Sequence, residues 1–426
     1  MIATIPAIST GTITAFQADS FVESIGVNTH WAFKGVYVNN YTEIRIKLAE
    51  SGIRYVRDGT FSPIIFTRSN DLYNNFGIKT NMLTGRWVPG SWPAPLDPTQ
   101  IDSELDAIKT SALQTVASIE APNEYDHPNT HGPDTDWLST IKNYSILLYN
   151  KVKADPVLNK FSVIGPSFVN YEAYRAMGNS DSFIDYGNQH IYYWTYWPGF
   201  HGYDSNGTRS IDWYLNYLAR EQSPSGKLVQ TTETGHTNFI EVGGVSEEAD
   251  GKYTLRILAE FFRRGIYRTY KYELVDQALP DREGFFGLLR NNLTEKPSFR
   301  AVKNIISLLS DKGASFTPST LSYSLTGNSN NVRQLLFQKR NGEFYLMVWI
   351  EVSSWDVGGK FDLYPPPQPL QLSFQNNHDF GIAILYTFNN NADLEISNLV
   401  ISNNQIHFNA TDKISIIRFN QGPQLG

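Results

Sequence analysis

Cysteine is absent from the chain. That one absence removes disulfide staples, thiolate nucleophiles and zinc–thiolate sites together. No run of about 18 apolar residues occurs either, so the sequence encodes no membrane-spanning helix. Charge is sparse: 18% of the 426 residues are charged, and the net charge of −7 comes from scattered acids, not from a tail. Nucleic acid and anionic membrane surfaces therefore gain no electrostatic attraction and are not expected partners. The N-terminal MIATIPAISTG lacks the basic stretch and long apolar segment of a secretory leader. That fits a cytoplasmic enzyme or an extracellular chain that begins at a processed terminus.

What the chain has in plenty is apolar and aromatic matter: 41% apolar residues, 14% aromatic, with 24 Tyr and 9 Trp. This is the composition of a large packed interior. From about residue 22 to 310 one unit repeats: a short β-branched run, a polar loop, then a segment of helical periodicity. Repeated βα units of this kind predict an α/β fold with a parallel sheet, and eight of them predict a closed (β/α)8 TIM barrel. The strands fall near 24–28, 53–58, 78–83, 116–120, 162–165, 185–191, 228–232 and 268–274. The clearest helices span 41–51, 101–111, 137–154, 211–222, 247–264 and 298–309. After Asp311 the pattern alternates in period two between Asn/Gly turns, which predicts a C-terminal antiparallel β-sandwich. Arg340–Asn341–Gly342 reads as one of its hairpin turns. The expected division is a catalytic barrel over 1–312 and a sandwich over 313–426, with residues 1–20 able to add a strand to the sandwich.

Carboxylates stand at two barrel strand ends. VASIEAPNEYD places Asn123 and Glu124 where the fourth strand runs into its loop, and KLVQTTETGH places Glu233 at the end of the seventh. Active sites of this fold lie at that C-terminal face, and two strand ends three βα units apart converge across its mouth. Two carboxyls about 5–5.5 Å apart are what glycosidic hydrolysis with retention needs, one protonating the leaving oxygen and one attacking the anomeric carbon. Either glutamate alone is more often a loop or ion-pair carboxylate; the matched pair makes the chemistry.

An Asn-Glu pair after strand four and a Glu ending strand seven resemble the acid/base and nucleophile motifs of clan A glycoside hydrolases. The barrel-plus-sandwich layout is most similar to family 39, which holds β-xylosidases and exopolysaccharide-degrading endoglycosidases. The resemblance implies Glu124 as general acid/base, Glu233 as nucleophile and Asn123 on the 2-hydroxyl of the sugar at the cleavage point. Arg57, at the end of strand two in RYVRDG, matches the arginine that keeps the nucleophile ionised. His190 and Tyr192 in GNQHIYYW resemble the histidine and tyrosine that contact nucleophile and substrate. Asn28, His30 and Trp31 end strand one, where a sugar-hydroxyl contact is expected. Strand eight departs from the pattern: where the clan often presents a tryptophan floor, this chain offers Tyr270, Lys271, Tyr272 and Glu273, so Tyr272 becomes the expected floor. Glu120, Glu273 and Asp276 are rival carboxylates able to support the site without doing the chemistry.

Loops supply the expected sugar-binding surface through Trp87 and Trp92 in GRWVPGSWPAP and through Tyr193, Trp194, Tyr196, Trp197, Phe200 and Tyr203 in HIYYWTYWPGFHGYD. About half of such rings serve to anchor long loops on the barrel rim. His127 and His131 in DHPNTHGPD look like a metal tract, but Pro- and Asp-rich loops produce this spacing by chance, so neither metal nor cofactor is expected. The partner is then a carbohydrate. A non-catalytic carbohydrate-binding barrel is the alternative from another class, and both glutamates argue against it. An unrelated barrel enzyme using a phosphate loop is a further one, and Gly243–Gly244 after strand seven lacks the basic neighbour it would need.

Overall fold

The computed structural model describes residues 11–85, 95–375 and 380–420. Eight parallel strands, in spatial order 5-4-3-2-1-8-7-6, form one sheet, and a parallel bridge between Ile164 and Tyr186 joins its two edges into a barrel. The strands are Ile25–Asn28, Tyr55–Gly59, Lys79–Leu83, Val116–Glu120, Val163–Ile164, Gly187–His190, Val229–Thr234 and Arg268–Lys271. All eight expected strands are present, with ends shifted by at most three residues and the fourth unshifted. The eighth is shorter than its periodicity suggested: after Lys271 the backbone leaves the ladder, and Leu274 N–H donates across to Asn28 O of strand one at 3.0 Å. The Tyr272–Glu273 peptide is cis.

The helices show why they form where they do. Trp137–Ala154 buries Ile141, Tyr144, Ser145, Leu148 and Val152, the three-and-four spacing of a helix with one face on a barrel. Glu247–Arg263 starts on Ser246, whose hydroxyl accepts the Ala249 N–H at 2.9 Å, and carries Glu247, Glu248 and Asp250 in its first turn, where negative charge meets the positive end of the helix dipole. The segment expected as one helix over 211–222 is α-helical only at its ends; Tyr214–Leu218 takes a π turn between them. Pro63–Phe76 is a further full helix, opened by a proline in its first turn.

Helix Glu247–Arg263 is buried almost all round, Lys252, Arg256 and Glu260 included. A barrel helix normally keeps a wet outer face; here a second body covers it. That body is a pair of antiparallel sheets. One contains Gly11–Thr14, Thr320–Gly327, Gln368–Phe374 and Gln405–Ala410; the other contains Phe16–Gln17, Val332–Gln338, Phe344–Ile350, Ala383–Phe388, Leu394–Leu399 and Ser415–Phe419. The N-terminal segment thus pairs into both sheets, antiparallel to the first and parallel to the second. The Lys339–Glu343 hairpin closes with Gly342 at φ 85°, a conformation glycine adopts without cost.

Strand Phe344–Ile350 is buried along its whole length, FYLMVWI. Its alternate side chains serve two different cores. Phe344, Leu346, Val348 and Ile350 fill the space between the sheets. Tyr345, Met347 and Trp349 point the other way, into one continuous cluster with Ile44, Leu48, Phe299 and Ile305 of the barrel helices. Burying each such side chain contributes roughly 1.5–3 kcal/mol. A chain ending at residue 312 would expose this face and leave the strand at Gly11–Thr14 without a partner. We expect that fragment to be insoluble or to lack a near-ultraviolet circular dichroism signal; a monomeric fragment with native-like tertiary signal would contradict the shared core.

Candidate active site

Arg57 projects from strand two into the C-terminal end of the barrel and is 4% exposed. All five of its N–H groups have acceptors. Nε and Nη2 grip both oxygens of Glu120 at 2.9 and 2.8 Å, Nη1 reaches Asn28 Oδ1 at 3.0 Å and Glu233 Oε1 at 2.7 Å, and Nη2 also reaches Asn123 Oδ1 at 2.6 Å. Burial works against its charge, yet Glu120 and Glu233 outweigh that and hold it protonated. Glu120, wholly buried in strand four, also accepts from Asn81, from Asn188 at 3.1 Å and from Thr232 at 2.9 Å. The upper barrel interior is therefore a hydrogen-bonded lattice in which few atoms lack a role.

Glu233 stands beside Thr232, whose hydroxyl faces the same interior. Strict alternation would send two neighbouring side chains to opposite faces. Strand seven avoids this with a bulge: its register shifts against strand six between Asn188 and His190 and against strand eight between Thr269 and Lys271. Glu233 accepts from Arg57 on one oxygen and from Tyr192 Oη on the other, at 2.9 Å. Burial alone would raise its pKa; the positive charges of His190 and Arg57, with the hydrogen bonds from Arg57 and Tyr192, overcome this and hold the carboxyl below the usual range. It is ionised at neutral pH.

Glu124 lies four residues past strand four, in the left-handed region at φ 44°, where its backbone N–H donates to Ser167 O at 3.1 Å. Such a conformation in a non-glycine residue costs on the order of 1–3 kcal/mol and is typical of functional sites. It turns the carboxyl over the barrel mouth, where Oε1 meets His190 Nδ1 at 2.7 Å. His190 Nε2 lies 3.0 Å from Thr232 Oγ1, and the one hydroxyl hydrogen of Thr232 is taken by Glu120 or Asn188. Nε2 must then carry a hydrogen, so Nδ1 is the position that exchanges a proton with Glu124. Burial lowers the His190 pKa, but the nearby charges of Glu233 and Glu124 raise it further, with a net upward shift.

Ligating atoms of Glu124, His190 and Glu233 lie within 4.8 Å of one another, the one such grouping among the described residues. By distance alone the trio could take a cation. Arg57, 2.7 Å from Glu233, already supplies a fixed positive charge there and disfavours a second.

The three side chains open onto a cleft of about 920 Å³ that Asn28, His30, Arg57, Asn123, Tyr192 and Tyr272 also line, together with Trp194 further out. Asn28 spans from strand one to strand seven, donating to Thr232 O at 3.0 Å. Because Arg57 occupies Asn123 Oδ1, the amide nitrogen of Asn123 is the group left for a ligand. His30 stacks on Phe33 at 4.4 Å and meets the Tyr272 ring edge-to-face. Burial brings its pKa down to about 4, so it is neutral at pH 7. Trp194 is 39% exposed, with Arg282 over its ring at 4.4 Å.

Two expected positions fall elsewhere. Trp31 does not face the cleft: it is fully buried, edge-on to Tyr37 and Tyr41, because Asp58 captures its backbone N–H at 2.8 Å and turns the chain inward. Glu273 is also fully buried, below the cleft surface, accepting from Tyr37 Oη and Gln277 and lying 3.3 Å from His30 Nε2. Trp87, with Trp92, is outside the described residues. Of the other loop aromatics, Tyr193 is buried as an anchor, whereas Tyr196, Phe200 and Tyr203 pack on one another. His127 caps a short turn through the Asn129 N–H and His131 packs on Tyr125, so the two do not form a ligand pair. The sequence reading missed Asn81 and Asn188; inward alternation with His190 on strand six would have found Asn188.

No protein-family model matches the sequence, and no curated protein matches it. Solved structures do. A family 39 glycoside hydrolase from the gut symbiont Bacteroides cellulosilyticus WH2 superposes with a TM-score of 0.65 at 17% identity, over 94% of this chain and 82% of that one. A monomeric β-xylosidase from Caulobacter crescentus CB15 gives 0.59 at 13% identity, over 97% and 98%. A family 39 enzyme from Xanthomonas axonopodis pv. citri gives 0.58 at 14% identity, over 98% and 96%. At these identities the likeness establishes the fold, a (β/α)8 barrel with its β-sandwich, over nearly the whole chain.

Burial raises the pKa of Glu273 to about 8, with Asp276 adding to the rise and Gln277 and Tyr37 opposing it. An acid whose folded pKa is raised binds its proton more tightly folded than unfolded. Its contribution is therefore complete below the unfolded value of about 4.3 and is lost as pH climbs toward 8. Glu273→Gln should flatten the decline of Tm between pH 4.5 and 8 relative to the wild type. A parallel decline in both proteins would show that Glu273 does not titrate in that window.

Proposed function

We propose that the chain is a retaining glycoside hydrolase that cleaves β-glycosidic bonds of an oligo- or polysaccharide by double displacement. One observation carries this reading: Glu124 and Glu233, from different strand ends, bring carboxyl oxygens within 4.8 Å of each other at the floor of a large cleft. That separation suits direct attack by one carboxylate and leaves no room for the intervening water that inversion requires.

Each group suits a different half of the work. Glu233, ionised and aimed by Arg57 and Tyr192, attacks the anomeric carbon while the bond to the leaving oxygen breaks. Glu124 delivers the proton that the leaving oxygen takes up. In the second step Glu124 removes a proton from water, which displaces Glu233 and restores both carboxyls. His190 Nδ1, 2.7 Å from Glu124 Oε1, is placed to exchange a proton with it. The free amide of Asn123 is placed to bond a sugar hydroxyl as charge develops on the ring, and Tyr272 and Trp194 offer aromatic surface to it. The neighbours in structure, among them enzymes described as a β-xylosidase and as family 39 glycoside hydrolases, support the same reading.

Glu233→Ala should abolish turnover of aryl β-glycosides, and azide should restore it with an α-glycosyl azide product, because the small anion enters the space of the missing carboxylate. Near-normal activity without azide would remove Glu233 from the role. Glu124→Gln should spare the first step for dinitrophenyl glycosides, whose leaving group needs little protonation, and slow it by roughly 10²–10⁴-fold for natural glycosides. Equal losses with both substrates would show that Glu124 is not the acid.

A further inference from the structure

The long connection after strand six carries Tyr192 and Trp194 into the cleft and then runs out over the barrel rim. Its outer turn is held at three places. His236 Nε2 lies 2.8 Å from Tyr196 O, Trp197 packs into an apolar cluster with Tyr253 and Trp355, and the Gly199 N–H donates to Glu351 Oε1 at 3.1 Å. The last hold comes from the sandwich, and the second is shared between Tyr253 of helix Glu247–Arg263 and Trp355 of the C-terminal half. Glu351 directly follows strand Phe344–Ile350, is 4% exposed, and is itself fixed from two sides. Trp349 Nε1 donates to its Oε2 at 2.7 Å, and the guanidinium of Arg256, on the covered barrel helix, stands 3.4 Å from Oε1. Arg256 Nη1 also donates to Ile350 O and Asp412 O of the sandwich, both at 3.2 Å.

The fit at Gly199 is tight. A Cβ placed there would lie 2.1 Å from Glu351 Cγ, 3.1 Å from its Cδ and 3.2 Å from Trp197 Nε1. Burying a carboxylate is costly unless its lone pairs are engaged, and Arg256 of the covered helix supplies the countercharge. Here one of its oxygens is spent on a barrel loop that lines the cleft.

We infer that Glu351, on the sandwich, is a positioning residue for the loop 193–203, setting where Trp194 meets the sugar. The inference rests on the glycosidase reading, since the loop matters only if the cleft takes a saccharide. Tyr192 is anchored separately: the Ile191 carbonyl accepts from Thr234 Oγ1 at 2.6 Å, and the Tyr192 ring rests edge-on against Phe286. Disturbing Glu351 should therefore weaken substrate binding and leave the chemical step in place.

The test compares Gly199→Ala, Glu351→Ala and the double variant in the full chain. Each single variant should raise KM for an aryl β-glycoside about tenfold, the scale of one hydrogen bond to a charged group, with kcat held within about twofold. Amide hydrogen exchange over 193–203 should accelerate in both. Because the alanine at 199 clashes with a side chain that Glu351→Ala removes, the double variant should be no worse than Glu351→Ala alone. Unchanged KM and exchange in the single variants, or additive losses in the double, would overturn the inference. If Glu351→Ala fails to fold, Gly199→Ala decides by the same two readings. Should the wild type turn over no glycoside, the functional reading fails, while the exchange data still decide whether Glu351 holds the loop.

Discussion

A single buried cation organises the mouth of this barrel. Arg57 spends its five N–H groups on four side chains from strands one, four and seven and from the loop after strand four. A guanidinium is suited to the task because it is planar, always charged and presents its donors in a fixed fork. Burying it would be prohibitive without countercharge, and Glu120 and Glu233 supply that. The two acids are not equivalent. Glu120 is closed in by Asn81, Asn188 and Thr232 and has no exposure, whereas Glu233 keeps one face on the cleft. Arg57 thus binds one carboxylate as buried structure and holds the other ionised at the cleft. Asn28 and Asn123 gain their orientation as a by-product, since accepting from Arg57 settles which end of each amide faces outward.

Much of this was legible from residue order. Strand ends separated by helices of regular period predict a barrel, and a barrel predicts that Asn123, Glu124, Arg57, His190, Tyr192 and Glu233 share one face. What escaped has physical causes. The bulge in strand seven leaves no mark in VQTTET, so that Thr232 and Glu233 face the same interior could not be read from alternation. Trp31 was expected to contact a sugar hydroxyl by its position at the end of strand one, but Asp58 turns the backbone there and the ring is buried. Glu273 follows two aromatics at a strand end, which suggested the cleft surface; the backbone leaves the ladder there and takes the carboxyl below it. FYLMVWI hides its division of labour because both faces of that strand are covered, so period two vanishes into an unbroken apolar run. Helix Glu247–Arg263 carries charges on a face that sequence alone assigns to solvent, and the sandwich covers that face.

The two bodies are accordingly not a catalyst with an appended module. The sheet that contains Phe344–Ile350 shares one apolar cluster with the barrel helices, and the chain's first described residues pair into both sandwich sheets before the barrel begins. Arg256 and Glu351 connect the sandwich to the barrel rim, and the loop that Glu351 touches at Gly199 brings Trp194 to the cleft. On the proposed reading, placement of the sugar and placement of the two carboxyls have separate supports: the sandwich for the first, the Arg57 lattice for the second.

The central claim is that Glu233 forms a covalent bond to the sugar. Its most direct test is to incubate the protein with activated 2-deoxy-2-fluoro β-glycosides, which slow the second step more than the first, and to map the product by peptide mass spectrometry. The account predicts a gain of one fluoroglycosyl group on the peptide bearing Glu233, lost again when a glycosyl acceptor is added. Labelling at Glu124 or Glu273, or turnover with inverted anomeric configuration and no adduct, would contradict it.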